Sequence, residues 1–301
     1  GVEVHYVCQS TKHKKPTGEE RYGINFHWIP VVKGILAWKN IMSIYESIIK
    51  GIVPDAVYVR GRNVLQYVAG KYAQQHNINF VWGTNGDDSA EFYKNMKRLK
   101  ASSKPFYKKM LLAPLKFYED TFINKGMRLA THIINQSCQQ KEKTFKILKK
   151  VGIIIPSYFL PEDKPEEKEN IILWLANLSP KKQPLLFIEL IKSLEDTGNW
   201  KAILGGGSND LAYEKEIPIK AEGSVECIGK VLFRDSDSWY AKSKIYINTS
   251  LPEADGLPNA YIQSWLNGTV VLSLHHDPNN WMKQYQIGFC ANGDFNALKK
   301  E

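Results

Sequence analysis

Nine short runs rich in aliphatic, β-branched and aromatic residues, at 2–7, 56–59, 79–82, 132–135, 171–175, 202–204, 227–228, 245–248 and 270–274, alternate with segments of helical periodicity. Alternation of this kind predicts parallel sheets covered by helices, because parallel neighbours must be joined by a crossover of roughly a dozen residues or more. The stretch Pro161-Glu-Asp-Lys-Pro-Glu-Glu-Lys-Glu169 interrupts the pattern with prolines and charges and reads as a linker. The expected fold class is therefore α/β, with two Rossmann-like doubly wound domains at 1–160 and 161–301. Each half is long enough to bury a core of its own.

Hydrophobic residues make up 43% of the chain and charged residues 24%, a balance that excludes an intrinsically disordered protein. No apolar run approaches the roughly 20 residues that a membrane-crossing helix needs, and no secretory leader is visible. Cys8, Cys138, Cys227 and Cys290 are scattered, which suits reduced thiols in a cytoplasmic protein better than a zinc site or a disulfide framework. Charge is divided unevenly. Residues 1–160 hold 25 Lys and Arg against 11 Asp and Glu, net +14, whereas the remainder holds 15 against 20, net −5.

Much of the basic excess lies in 91–100 and 104–118, where Lys and Arg are interleaved with Phe, Tyr, Met and Leu. That mixture suits a helix lying on an anionic membrane surface, with rings and alkyl stems buried and ammonium groups outside. A solvated helical face covering the domain core is the other reading of the same residues. Nucleic acid is not the expected partner: no helix-turn-helix, zinc module or ribonucleoprotein motif accompanies the charge, and the second half is acidic.

The most informative local stretch runs from Asn248 to Gly268. Lys244-Ile-Tyr-Ile-Asn248 reads as a strand, and Ala260, Ile262, Trp265 and Leu266 recur at helical spacing. Pro258 suits the first turn of that helix, and Gly256 lets backbone approach a ligand closely. The first N–H groups of a helix lack internal acceptors and, with the helix dipole, favour an anion such as a diphosphate. Asp255 and Gln263 would then face one site, the carboxylate accepting from sugar hydroxyls and the amide able to donate and accept. A helix-capping Asp and a Gln on a solvated face are the alternative.

This segment resembles the donor-site signature of family 4 glycosyltransferases of the GT-B fold, usually Glu-Gly-Phe-Pro-Asn, three variable residues, Glu, then Gly-x-Pro-Val-Val. Here it stands as Asp255-Gly256-Leu257-Pro258-Asn259, Gln263 and Gly268-Thr-Val-Val271. Three further segments follow the family's order. Residues 171–184 resemble the strand and loop whose Arg and Lys meet the diphosphate; Lys182 matches the Lys, and Asn177 stands at the Arg position. Residues 200–208 resemble the next strand and its Gly-rich turn, with Gly205 and Gly206 beside the donor, and 226–231 resemble the strand and loop, Gly229 to Val231, that approach the nucleobase.

The resemblance implies two domains facing a central cleft, a nucleotide-diphosphate-sugar donor as substrate, no cofactor and no metal. Residues 1–7 resemble the family's second strand, so the expectation is that the first strand, its Gly-rich turn and the first helix are absent from this chain, as are the C-terminal helices, as in a fragment or a rearranged chain. Lys182 and the amides of Gly256 to Asn259 are expected to stabilise charge on the departing diphosphate, Asp255 to grip donor hydroxyls, and Gln263 to hold the ribose. Glu253 is a reserve for the first acid, although its register loses the Gly-x-Pro-Asn match.

On the acceptor side the legible loops are 58–62, with Arg60 and Arg62, and 82–88, with Asn85 and Asp87. Many relatives carry His where Asn85 stands; an amide orients a hydroxyl but takes no proton. Retaining members are thought to use the leaving diphosphate itself as the base. Asp235 and Asp237 fit capping of a helix that begins near Ser238 better than a metal pair, and His275-His276-Asp277 reads as a loop after a strand. Asn135, Asn248 and Asn267 match glycosylation sequons, which carry little weight without secretion.

The function expected from these readings is transfer of a sugar, with retention, from a nucleotide-diphosphate sugar to a glycan or glycolipid acceptor, by a protein held at a cytoplasmic membrane face. The altered acids and Asn177 keep open a degenerate relative that binds a nucleotide sugar or a partner without turnover. A nucleotide-sugar epimerase is a third class.

Overall fold

The computed structural model describes all residues except 35, 161–166, 195–197 and 253; most of the expected linker and the reserve acid Glu253 lie outside the described residues. The chain divides into two compact units, Gly1–Asn135 with Lys141–Ile153, and Gln136–Gln140 with Ile154–Glu301.

In the first unit β1 (Val4–Ser10), β2 (Thr17–Arg21) and β3 (Ile24–Pro30) form one sheet in the order β1-β3-β2. The hairpin between β2 and β3 was not expected from the periodicity. Its turn is Tyr22-Gly23, both residues at positive φ, the backbone that matches the twist of a two-residue hairpin. After α1 (Ala37–Ile52), a second sheet has the order β4-β5-β6-β7, made of β4 (Ala56–Arg60), β5 (Asn79–Gly83), β6 (His132–Asn135) and β7 (Ile153–Ile154). Its connections carry α2 (Leu65–His76), α3 (Lys94–Ala101), α4 (Phe106–Leu129) and α5 (Cys138–Leu148). Phe80, Trp82, Ile123 and Met127 are fully buried in this unit's core.

The second unit is a doubly wound sheet of six parallel strands in the order β10-β9-β8-β11-β12-β13. They are β8 (Glu169–Leu175), β9 (Lys201–Gly205), β10 (Glu226–Gly229), β11 (Ser243–Asn248), β12 (Val270–Ser273) and β13 (Gly288–Cys290). The helices are α6 (Pro184–Ser193), α7 (Leu211–Ala221), α8 (Phe233–Lys242), α9 (Asn259–Leu266), α10 (Trp281–Tyr285) and α11 (Phe295–Lys300). Side chains alternate across the sheet. Ile172, Trp174, Leu204 and Leu272 pack on the face that holds α6, α7 and α11, whereas Ile171, Leu173, Ile203 and Val271 pack with Tyr240 of α8, Tyr261 of α9 and Met282 of α10.

The winding explains the two faces. From β8 the chain moves outward to β9 and β10 through α6 and α7, then returns past β8 to β11 and continues to β12 and β13. Crossovers of one hand that travel in opposite directions leave their helices on opposite faces. The direction therefore reverses between β8 and β11, and in open α/β sheets a ligand binds outside the carboxyl ends of the strands at such a reversal.

Candidate functional site

The loops that leave β8 and β11 flank this reversal, and hydrogen bonds stitch them together. Thr249, fully buried just after β11, accepts from the Trp174 indole N–H at 2.9 Å, and its hydroxyl lies 3.0 Å from the carbonyl of Lys182 and 2.9 Å from that of Gln183. The amide of Leu251 donates to the carbonyl of Lys181 at 2.9 Å. Two loops far apart in sequence are thus held in register. As a result the Lys182 ammonium bonds both carboxylate oxygens of Asp255. The pair sits near the surface, with 23% of the Lys182 side chain and 15% of that of Asp255 exposed.

The Gly-rich turn after β9 closes against the same loop. The amide of Ala176 donates to Gly205 at 3.2 Å, that of Leu178 to Gly207 at 2.9 Å, and that of Gly206 to Gly229 at 2.8 Å. Gly206 has φ +155°, and a Cβ there would stand 1.9 Å from the carbonyl oxygen of Ala176. Only glycine allows three strand ends to converge so closely. Asn177 is exposed beside this junction, and Val231 is half-buried at the start of the loop after β10.

Behind Asp255, Gly256, Leu257 and Pro258 are buried, and Asn259 is exposed at the start of α9. Pro258 is the N-cap, one residue ahead of the first turn where it was expected, and no side chain caps the helix. The N–H of Tyr261 turns back to the Pro258 carbonyl at 3.1 Å, and the N–H groups of Asn259 and Ala260 ahead of it are of the kind that solvent or an anion satisfies. Beneath them Tyr261 donates to the Ser273 hydroxyl at 2.7 Å, the amide of His276 donates to the same oxygen at 2.9 Å, and His276 Nε2 lies 3.0 Å from the carbonyl oxygen of Leu251. Burial pushes the phenols of Tyr261 and Tyr246 well above their ordinary range, with the Asp255 charge adding to the effect, so both remain neutral under the site.

Three expectations are corrected. Gln263 does not lie on an open face: it is buried, and its amide nitrogen donates to Ser236 Oγ and Asp237 Oδ1, each at 3.0 Å. Asp235 and Asp237 do not cap a helix starting near Ser238, because α8 begins at Phe233 and its N-cap, Leu232, makes no side-chain bond; both aspartates lie inside the helix. Arg62 turns inward instead of toward an acceptor, pairing with the fully buried Asp120 at 2.8 Å while 7% of its own side chain is exposed. Asp120 also accepts from the amides of Asn95 and Met96, at 3.3 and 2.9 Å, and so fixes the start of α3.

The other first-unit candidates share one end of β4 and β5. Arg60 is exposed at the end of β4. Asn85 accepts from the Ser89 hydroxyl at 2.9 Å, and its amide lies over Gly61, where a Cβ would stand 2.8 Å from Nδ2. Asp87 is nearly buried; Oδ2 accepts from Lys143 at 3.0 Å, and Oδ1 is buried without a partner. Among the described residues no group of three or more His, Cys, Asp and Glu is placed to hold a metal ion. Asn135 and Asn248 are buried, so these sequons are closed in the folded chain. Thr249 and His276 were missed: a Thr after a strand and a His in a loop carry no periodic signal, and their importance arises only from contacts across the fold.

The second unit has a doubly wound architecture with these loops gathered at its switch point, and the two-unit α/β fold is that of GT-B glycosyltransferases. Residues 169–300 match the model of the family Glycosyl transferases group 1. The crystal structure of HepE from Anabaena in complex with UDP and glucose is similar over 92% of this chain and 76% of that one, with 14% identity and a TM-score of 0.62. The alpha,alpha-trehalose-phosphate synthase (UDP-forming) from Burkholderia vietnamiensis matches over 98% and 84%, with 7% identity and a TM-score of 0.64. In sequence, 126 residues are 30% identical to the GalNAc-alpha-(1->4)-GalNAc-alpha-(1->3)-diNAcBac-PP-undecaprenol alpha-1,4-N-acetyl-D-galactosaminyltransferase of Campylobacter jejuni. That match covers 40% of this chain and 34% of the relative, about a third of its length.

Proposed function

We propose that this protein is a retaining, metal-independent glycosyltransferase that moves a sugar from a nucleotide-diphosphate donor to a glycan or glycolipid acceptor. The observation that carries the reading is the meeting of Lys182 and Asp255 at the switch point, beside the uncapped start of α9. An ammonium and helix N–H groups stabilise negative charge growing on a departing diphosphate, and a carboxylate accepts from sugar hydroxyls. Gly205, Gly206, Gly229 and Val231 line the turns along which the nucleoside would lie, and Leu257 and Pro258 hold the phosphate loop. UDP in the HepE structure supports a uridine nucleotide as the donor's carrier, and the lipid-linked substrate in the Campylobacter relative's name supports a lipid-linked acceptor. On the acceptor side, Arg60, Asn85 and Asp87 remain the residues of choice.

Calorimetry with UDP and GDP tests the donor site: saturable binding is expected, and no heat with no shift in melting temperature for either would sink the reading. Turnover with a nucleotide-sugar panel, unaffected by EDTA and giving a product with the donor's anomeric configuration, tests the chemistry. Nucleotide-sugar binding without turnover across an acceptor panel would favour the binder that Asn177 leaves open.

The reading includes attachment to an anionic, cytoplasmic membrane face through α4. Phe106, Tyr107, Met110 and Leu111 are all more than 60% exposed along its first turns, beside Lys104, Lys108 and Lys109. No helix among the described residues is long and apolar enough to cross a membrane. Preferential binding to anionic over neutral vesicles is expected, weakened by Phe106→Glu with Leu111→Glu; equal partition would remove this part of the reading.

A further inference from the structure

We propose that Asp237 is the carboxylate that holds the ribose of the nucleotide and that Gln263 is its positioning residue. The inference rests on the nucleotide-sugar reading above and names a residue that this reading leaves out. Gln263 stands where the resemblance places the second acid of the donor site. A primary amide nitrogen has two hydrogens, and here both have acceptors inside the protein, Ser236 Oγ and Asp237 Oδ1. Ser236 passes the bonding on, donating to the Phe233 carbonyl at 2.7 Å. Buried at 5% exposure and tied to α8, Gln263 is spent on fixing its neighbour. Asp237 is half-buried, and Oδ2 is not used by this contact.

The topology puts Asp237 at the right point along a nucleotide. The loop before α8 is the one read as approaching the base, and the loop before α9 is the one read as meeting the diphosphate. Asp237 and Gln263 are each the fifth residue of their helices, and they meet where α8 packs on α9. In any nucleoside diphosphate the ribose lies between base and phosphates. A carboxylate at that junction can accept from both hydroxyls of the ribose, which is how a charged acceptor binds a diol most strongly.

The chain therefore places an amide at 263 and an acid beside it at 237. This arrangement also explains why 263 is not an acid. A Glu there would bring a second carboxylate to about hydrogen-bond distance of Asp237, and like charges so close oppose one another's ionisation.

The test measures binding of UDP and GDP, and of their 2′-deoxy and 3′-deoxy counterparts, to the full chain by calorimetry. For whichever ribonucleotide binds, loss of a ribose hydroxyl is expected to weaken wild-type binding about tenfold or more, as for a hydrogen bond to a charged group. In Asp237→Ala that discrimination should fall to within about twofold, the range left once a charge-assisted bond is gone. Gln263→Glu should weaken ribonucleotide binding instead of improving it. The ribo-to-deoxy ratio is the decisive readout, since a purely structural loss would weaken both nucleotides alike. Full discrimination retained in Asp237→Ala, or tighter ribonucleotide binding in Gln263→Glu, would overturn the proposal. If the wild type binds neither UDP nor GDP, the nucleotide-sugar reading itself falls, a result distinct from binding that ignores Asp237.

Discussion

Two cation–carboxylate pairs, one in each unit and each containing a residue that sequence reasoning singled out, have opposite characters. In the first unit Arg62 and Asp120 are 7% and 0% exposed, and the same carboxylate fixes the start of α3. In the second, Lys182 and Asp255 are 23% and 15% exposed on loops at the switch point. A planar guanidinium suits a permanent buried pair, whereas an ammonium on a flexible stem can change partners. A cation–carboxylate pair thus serves architecture in one region and, on the proposed function, exchangeable binding in the other, with burial deciding which.

Breaking the buried pair gives the largest expected effect. Arg62→Ala leaves Asp120 charged and unpaired in the core, which should cost about 3–5 kcal/mol of stability. The loss should appear as a lower denaturation midpoint, while any nucleotide binding by the remaining folded fraction is preserved. A variant as stable as the wild type would show that this pair is not structural.

The switch-point pair should respond in the opposite way. Lys182→Ala is expected to reduce turnover about 10²–10³-fold, the usual cost of removing one donor that stabilises transition-state charge. Its denaturation midpoint should change little, since solvent already reaches both partners. If Lys182→Ala unfolds the second unit while Arg62→Ala leaves the first intact, the contrast between the pairs is wrong.

The two regions also differed in how much of them the sequence revealed. All nine short runs proved to be strands, because β-branched and aromatic runs bounded by turns are local signals. The loops at the switch point were legible as turns for the same reason: Gly206, Asp255 and Pro258 stand where the chain leaves a strand or enters a helix. What escaped notice depended on distant partners. The inward turn of Arg62 is set by Asp120, which lies 58 residues away, and the burial of Gln263 by α8, 26 and 27 residues before it. The β2–β3 hairpin was missed for a different reason. Thr17–Arg21 is a polar, largely exposed edge strand whose sequence shows no apolar alternation, although Tyr22-Gly23 was a readable turn.

The smallest expected effect concerns which ligand breaks the Lys182–Asp255 contact. UDP alone offers its phosphates to the ammonium but gives the carboxylate nothing in return, leaving Asp255 near a second anion without its counter-ion. A nucleotide sugar supplies both halves, phosphate for Lys182 and hydroxyls for Asp255. Asp255→Asn should therefore raise affinity for UDP by about threefold to tenfold, the worth of one partly exposed ion pair at about 1 kcal/mol. The same change should lower affinity for the nucleotide sugar, because an amide is a weaker acceptor for hydroxyls than a carboxylate. Calorimetry with both ligands reads the two shifts, and their opposite signs are the test. If UDP and the nucleotide sugar weaken together, Asp255 only holds Lys182 in place, and the second pair is as architectural as the first.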